Sequence, residues 1–243
     1  MRCALTGLLV TLVLFPPLAR GADEPVPAEP PPTYTTEVSG TVPELVGHWF
    51  VVSQLVLPKG VEPVAIVPSF WEVTAPEGKP ALAPRFLRPP AAIADAITAA
   101  NNEHRSWGPS RRDLEALRDG WNALPSEDRG IASVEVTITG KDAFNDAIKS
   151  DEQMKDAQFL VQVTANFNPG GQRPMREVLL YGAKEQEPDG WRGAYASATI
   201  AAAPFPIPIS FAGTFRMYRL ESVPRRSFVE RMFDLFSGCG RKG

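Results

Sequence analysis

The chain has 243 residues, 44% of them hydrophobic and only two of them cysteine, with 28 acidic residues against 25 basic. A net charge of −3 excludes the strongly basic surface of a nucleic-acid binder, and two cysteines exclude a fold stapled by several disulfides. The length allows one large all-β domain or two small ones, with enough buried surface to fold unaided.

Met1-Arg2-Cys3 is followed by an apolar run from Ala4 to Phe15, then by Pro16, Pro17 and the small residues Ala19 and Gly21. A basic start, a short apolar core and a small-x-small site read as a secretory signal peptide over residues 1–21, cleaved after Gly21. The run falls well short of the roughly 20 residues of a membrane span. The expectation is therefore an exported protein, periplasmic or secreted, with no transmembrane span in its mature form. Cleavage removes Arg2 and Arg20, leaving 23 basic against 28 acidic residues, a balance of −5. It also removes Cys3, so that Cys239 is the only mature thiol and no internal disulfide can form.

Residues 22–37 open with "ADEPVPAEPPP", which has little to bury and many positions held near polyproline II, and read as a Pro-rich linker. Order is expected to begin near Val38, and residues 38–243 to form a single domain.

Eight strands follow from alternation and turn signals. The first runs from Trp49 to Leu57, and the second from Val64 to Thr74, where Pro68 marks an edge or a bulge. "ALAPRFL" is a short third. In the fourth, Val134, Val136 and Ile138 share a face; in the fifth, Phe159, Val161, Val163, Ala165 and Phe167 do so, opposite Gln162, Thr164 and Asn166. Such strands suit a sheet wet on one side. The sixth spans Arg176 to Ala183 and the seventh Trp191 to Ala202. In the last, Ile209 to Leu220, the residues Ile209, Phe211, Gly213, Phe215 and Met217 line one face.

Helices interrupt this pattern. Pro89-Pro90 opens one that carries Ile93 and Ile97. Gly108-Pro109-Ser110 starts another with Leu114, Leu117, Trp121 and Leu124 at helical spacing, headed by an imperfect Ser110–Asp113 capping pair. This helical pair, at about 89–125, is an insertion between strands three and four, expected over a barrel mouth or a sheet face. A shorter helix is expected near Asp142 to Met154. A C-terminal helix at about 225–237 places Phe228, Met232 and Leu235 on one stripe.

So many antiparallel strands in one soluble domain need their edges hidden, and closure into a barrel does so. Gly47-His48-Trp49, at the head of the first strand, resembles the G-x-W signature of the lipocalin-like (calycin) β-barrel family. The resemblance implies that Trp49 packs across the closed end of a barrel, braced beside Gly47 by an arginine of the last strand, Arg219 or the less well placed Arg216. It also implies that the final helix packs outside. The family's middle T-D-Y signature is missing. The fold expectation is thus mainly β: about eight antiparallel strands in a lipocalin-like barrel, with a helical insertion and a C-terminal helix.

Chemistry-bearing patterns are sparse. His48 and His104 are the only histidines, with no cysteine or acidic residue at metal-ligand spacing around them, so no metal site is expected. No G-x-S-x-G, S-x-x-K or H-E-x-x-H occurs, and neither catalysis nor a cofactor is expected. The tail "GCGRKG" matches G-x-G-x-x-G in letters only, since no strand precedes it. Glu185, Glu187 and Asp189 imitate a calcium loop, yet its twelfth position falls on Ala196, so a hairpin turn is the better reading.

The leading functional expectation is an exported non-catalytic module that binds a small apolar ligand inside the barrel. Trp49, Phe159, Tyr195, Phe211 and Phe215 are its pocket or core residues, and Gly47, Trp49 and Arg219 brace one end. The seventh strand is small on both faces, through Gly193, Ala194, Ala196 and Ser197; this leaves room inside or lets a helix approach outside. The alternative is an envelope protein–protein interaction module with a packed core, meeting its partner through the helical insertion or the C-terminal helix.

Overall fold

The described residues form nine strands, most of them built on alternating apolar residues: β1 (Thr33–Ser39), β2 (Gly47–Val56), β3 (Pro63–Thr74), β4 (Ala81–Arg85), β5 (Ile131–Gly140), β6 (Phe159–Phe167), β7 (Met175–Glu187), β8 (Gly190–Ala201) and β9 (Ile209–Arg219). The structure, a computed structural model, describes residues 32–56, 62–127, 130–167, 175–201 and 209–223. The expected signal peptide, its cleavage site and the C-terminal helix expected at 225–237 fall outside the described residues, as does Cys239.

All nine strands belong to one sheet in the order β1-β5-β6-β7-β8-β9-β2-β3-β4. The first and last of the eight expected strands are neighbours, with Trp49 opposite Arg219 and Val56 opposite Ala212. The sheet therefore curls until only the β1 and β4 edges remain. Between them, Thr36 Oγ1 donates to the Leu82 carbonyl at 3.2 Å and accepts from the Leu82 N–H at 3.1 Å. One hydroxyl thus satisfies both backbone groups of a residue at an edge that would otherwise seek a partner, and the result is a nearly closed barrel.

The expectation of eight antiparallel strands is corrected. There are nine and the sheet is mixed, because β1 pairs in parallel with β5, Thr33 opposite Ser133 through Ser39 opposite Thr139. Among the described residues regular structure accordingly begins at Thr33, inside the stretch whose composition suggested linker, and not near Val38. The sequence "TYTTEVS" is rich in β-formers but has no buried face, so alternation gives no sign of it. What holds it is the free edge of β5.

Val51, Ser53 and Leu55 of β2 point inward while Phe50 and Val52 point outward, and all five are buried. A strand apolar on both faces needs a second layer, and the insertion between β4 and β5 supplies it. Helices α1 (Ala91–Asn102) and α2 (Arg111–Gly120) lay Ile93, Ile97, Leu114 and Leu117 on Phe50 and Phe70. They cover a sheet face, not a mouth. The α2 cap is complete: Ser110 Oγ accepts from the Asp113 N–H at 3.2 Å and Asp113 Oδ2 accepts from the Ser110 N–H at 2.8 Å. The shorter helix expected near Asp142 to Met154 is confined to α3 (Asp146–Ser150), and Phe144 and Met154 beside it pack with Leu160 on the outside of β6. Pro68 lies beyond the paired stretch of β4, which reaches only Phe70 on β3; the register shift of β3 falls instead at Val64, opposite Leu55 and Val56 of β2. Among the described residues no helix is long and apolar enough to cross a membrane.

Candidate functional site

The inward side chains of the sheet divide the interior into a filled part and a hollow one. At the β2 start, Trp49 is 2% exposed and its indole Nε1–H donates to the Leu45 carbonyl at 2.6 Å, so the segment entering β2 lies against that end of the interior. Gly47 has φ +134°, and a Cβ there would come within 2.7 Å of the Glu221 carboxylate and 3.3 Å of Arg219 Nε. Arg219 sits opposite Trp49 on β9, with Nε buried and without a hydrogen-bond partner. Arg216 lies instead on the outer face, 3.3 Å from Glu187. The two arginines differ by an odd number of positions, which sends them to opposite faces.

Further along, Phe159 meets Trp191 edge-on at 5.1 Å, and Tyr181 meets Trp71 at 4.8 Å, Tyr195 at 5.0 Å and Phe215 at 5.3 Å. A Cβ at Gly213 would strike the Gln54 carbonyl at 2.0 Å, so the close approach of β9 to β2 requires glycine there. Burial pushes the Tyr181 hydroxyl well above the ordinary phenol range, with Tyr195 alongside acting in the same direction and hydrogen bonding to Ser69 and Ser53 acting against it. Ser53 Oγ itself is buried with no partner of good geometry, so its contact with Tyr181 is a loose one. Tyr195 is likewise pushed up to about 12 by burial, opposed by a hydrogen bond with Ser197. Both phenols are neutral hydrogen-bonding groups at any ordinary pH.

Beyond Tyr195 the filling stops. A cavity of about 200 Å³ opens inside the far half of the sheet. Leu55, Val67, Trp71, Val163, Ala165 and Phe211 make the apolar part of its lining, Tyr195, Ser197, Thr199 and Glu177 a polar part with Ser69 across from them, and the exposed Arg85 also borders it. The polar wall is a register effect: Glu177 faces Thr199 and Leu179 faces Ser197 on the paired strands β7 and β8. Of the small residues of the seventh expected strand, Ser197 leaves room inside, while Ala194 and Ala196 face outward and let the cluster of Phe144, Met154 and Leu160 pack closely against the sheet. Of the five expected pocket or core residues, Tyr195 and Phe211 line this cavity, while Trp49, Phe159 and Phe215 belong to the packed interior.

Trp71, Tyr181, Ser69 and Glu177 were not among the expected residues. Both faces of β7 carry aliphatic residues, Val178 and Leu180 on one and Leu179 with Tyr181 on the other, so alternation could not choose between them. For Trp71 the signal existed, as it stands directly across from Trp49.

A wider hollow of about 770 Å³ lies on the outer face, over Ala194, Gly213 and Thr214 and rimmed by Glu152, Lys184, Glu185, Arg192 and Arg216. Arg192 Nε donates to Glu185 at 2.8 Å and stands 3.5 Å from Glu187, so the carboxylates that imitated a calcium loop face arginines. Solvated ion pairs of this kind contribute little to stability. Among the described residues no cluster of three or more His, Cys, Asp or Glu can hold a metal ion. His48 closes the bracing end from outside, with Nδ1 2.7 Å from Glu221 Oε1 and its ring 4.5 Å from that of Trp121.

Compared with known proteins, the chain matches no family model, no curated protein and no solved structure.

Proposed function

We propose that this protein is an exported, non-catalytic module that binds one small, largely apolar molecule inside a lipocalin-like barrel. The observation that carries the reading is the internal cavity of about 200 Å³, bounded by an otherwise filled interior. A concave, mainly apolar site with a few convergent polar groups is the usual form of a small-molecule site. Trp49, with Gly47 and Arg219 beside it, supports the calycin comparison, since those three residues meet at one end of the interior. Export rests on residues 1–21 and is tested separately, by asking whether they carry a reporter enzyme across a bacterial inner membrane.

Trp71 lines the cavity, so binding should change tryptophan fluorescence. The test is a titration of the purified protein with small apolar molecules, followed by calorimetry on those that respond. At least one should bind with a stoichiometry near one, and Ala165→Leu, which fills the cavity, should abolish it. Absence of binding throughout the series would remove the reading.

The alternative, an envelope interaction module, keeps only its terminal-helix arm in play, because the apolar face of the insertion is already spent on β2 and β3. Truncation after Val223 tests it: loss of a co-purifying envelope protein, with the sheet still folded, would favour the alternative.

A further inference from the structure

We infer that the cavity selects a small ring compound bearing one hydrogen-bonding hydroxyl or ring N–H, of the phenol or indole class, over a hydrocarbon of equal size and over any long-chain lipid. This rests on the reading of the cavity as a ligand site and specifies its occupant.

Size gives the first argument. An engineered cavity of about 150 Å³ holds benzene, whereas drug-sized ligands need about 300–1,000 Å³. At about 200 Å³ the space admits a single ring with a substituent, or two small fused rings. The acyl chain of a membrane lipid does not fit.

The division of the lining gives the second. Tyr195, Ser197 and Thr199 follow one another on the inward face of β8, and Glu177 stands beside Thr199 on β7. Ser197 and Tyr195 are buried. Tyr195 and Ser197 hydrogen-bond each other, which leaves the O–H of one of them to water; a hydrocarbon would strip that water and return nothing, and an unpaired buried polar group is costly. A hydroxyl or ring N–H on the ligand replaces that water, and a site built to hydrogen-bond such a group discriminates sharply against an analogue lacking it. The facing wall is the complement. Trp71 and Phe211 present ring surfaces, and Leu55, Val163 and Ala165 aliphatic ones, which suits an aromatic body in an edge-on or offset arrangement.

The decisive pair of probes is p-cresol and p-xylene, which have the same shape and differ by a hydroxyl for a methyl. Calorimetry on the full-length mature protein should show p-cresol binding at least tenfold more tightly than p-xylene, and palmitate not binding. Ser197→Ala combined with Tyr195→Phe should bring p-cresol down to the level of p-xylene and leave p-xylene unchanged. Ala165→Leu should abolish both, which places the binding inside the sheet; binding that survives it would overturn the inference. Equal binding of the two probes would overturn this inference and leave the ligand-binding reading standing, as would saturable uptake of palmitate alone. Silence from all three, with other apolar molecules bound, would again overturn only the choice of ligand class. Silence from every compound tried would overturn both.

Discussion

The two ends of the barrel are built from the same strands and have opposite interiors. At the Trp49 end, large rings from β2, β6 and β8 interlock, and the segment carrying Leu45 lies against them. At the other end the same strands present Val163, Ala165 and Ser197, and about 200 Å³ is left unfilled. Side-chain volume at each level sets the difference, since a nearly closed sheet of this size encloses a space that residues can either fill or leave open. Close packing is thereby concentrated at one end, and open space is left at the other.

The largest effect expected from disturbing this contrast is at Trp49. Trp49→Ala empties the most tightly packed level and leaves the Leu45 carbonyl without its donor, so urea denaturation should show a loss of about 3–5 kcal/mol. Phe211→Ala, at the half-buried cavity wall, should cost about 1 kcal/mol, because much of that ring is already poorly packed. Equal losses would mean that the two ends do not differ.

Next comes the boundary between them, where Tyr181 and Tyr195 lie. The folded protein holds their protons past the pH at which the unfolded chain releases them, near 10. Stability should therefore be flat below pH 10 and fall above it, by about 1.4 kcal/mol per pH unit for each tyrosine. For Tyr195 the fall continues until its own ionisation at about 12. Phenolate absorbance at 295 nm during denaturation at pH 9 to 12 should follow unfolding, and Tyr195→Phe should make the fall shallower.

A matched enlargement sharpens the comparison. Ala183→Leu at the filled end should cost about 1–3 kcal/mol through overpacking, whereas Ala165→Leu at the cavity should be neutral or slightly stabilising in thermal denaturation. The smallest effect belongs to the seam. Thr36→Val removes the hydroxyl that serves both backbone groups of Leu82 and should cost about 0.5–1.5 kcal/mol, a normal value for a partly exposed hydrogen bond. It should also speed amide exchange at Leu82 more than at any residue of β6.

Alternation alone placed Val134, Val136 and Ile138, the odd positions of Phe159–Ala165, and Phe215 with Met217 on the inward face, and all of them are in the core. The meeting of Trp49 with the last strand was expected only from the calycin resemblance of Gly47-His48-Trp49, and Trp49 does stand opposite Arg219. Other features were not legible. Neither face of β7 is polar enough to mark the outside, so Tyr181 escaped notice. Nothing local told whether the small residues of β8 made room within or without, since their neighbours are set by strands far away in the chain.

What the sequence by itself determined is therefore the set of elements and, for most strands, which face is apolar, because side-chain period and turn chemistry are local properties. Only the tertiary structure decided that Thr33–Ser39 fills the gap between two edges, that the helical pair covers β2 and β3, and that the interior is packed at one end and hollow at the other. Those outcomes depend on which edges stand unpaired and on how summed volumes fit an enclosed space. Neither quantity exists until distant strands have met.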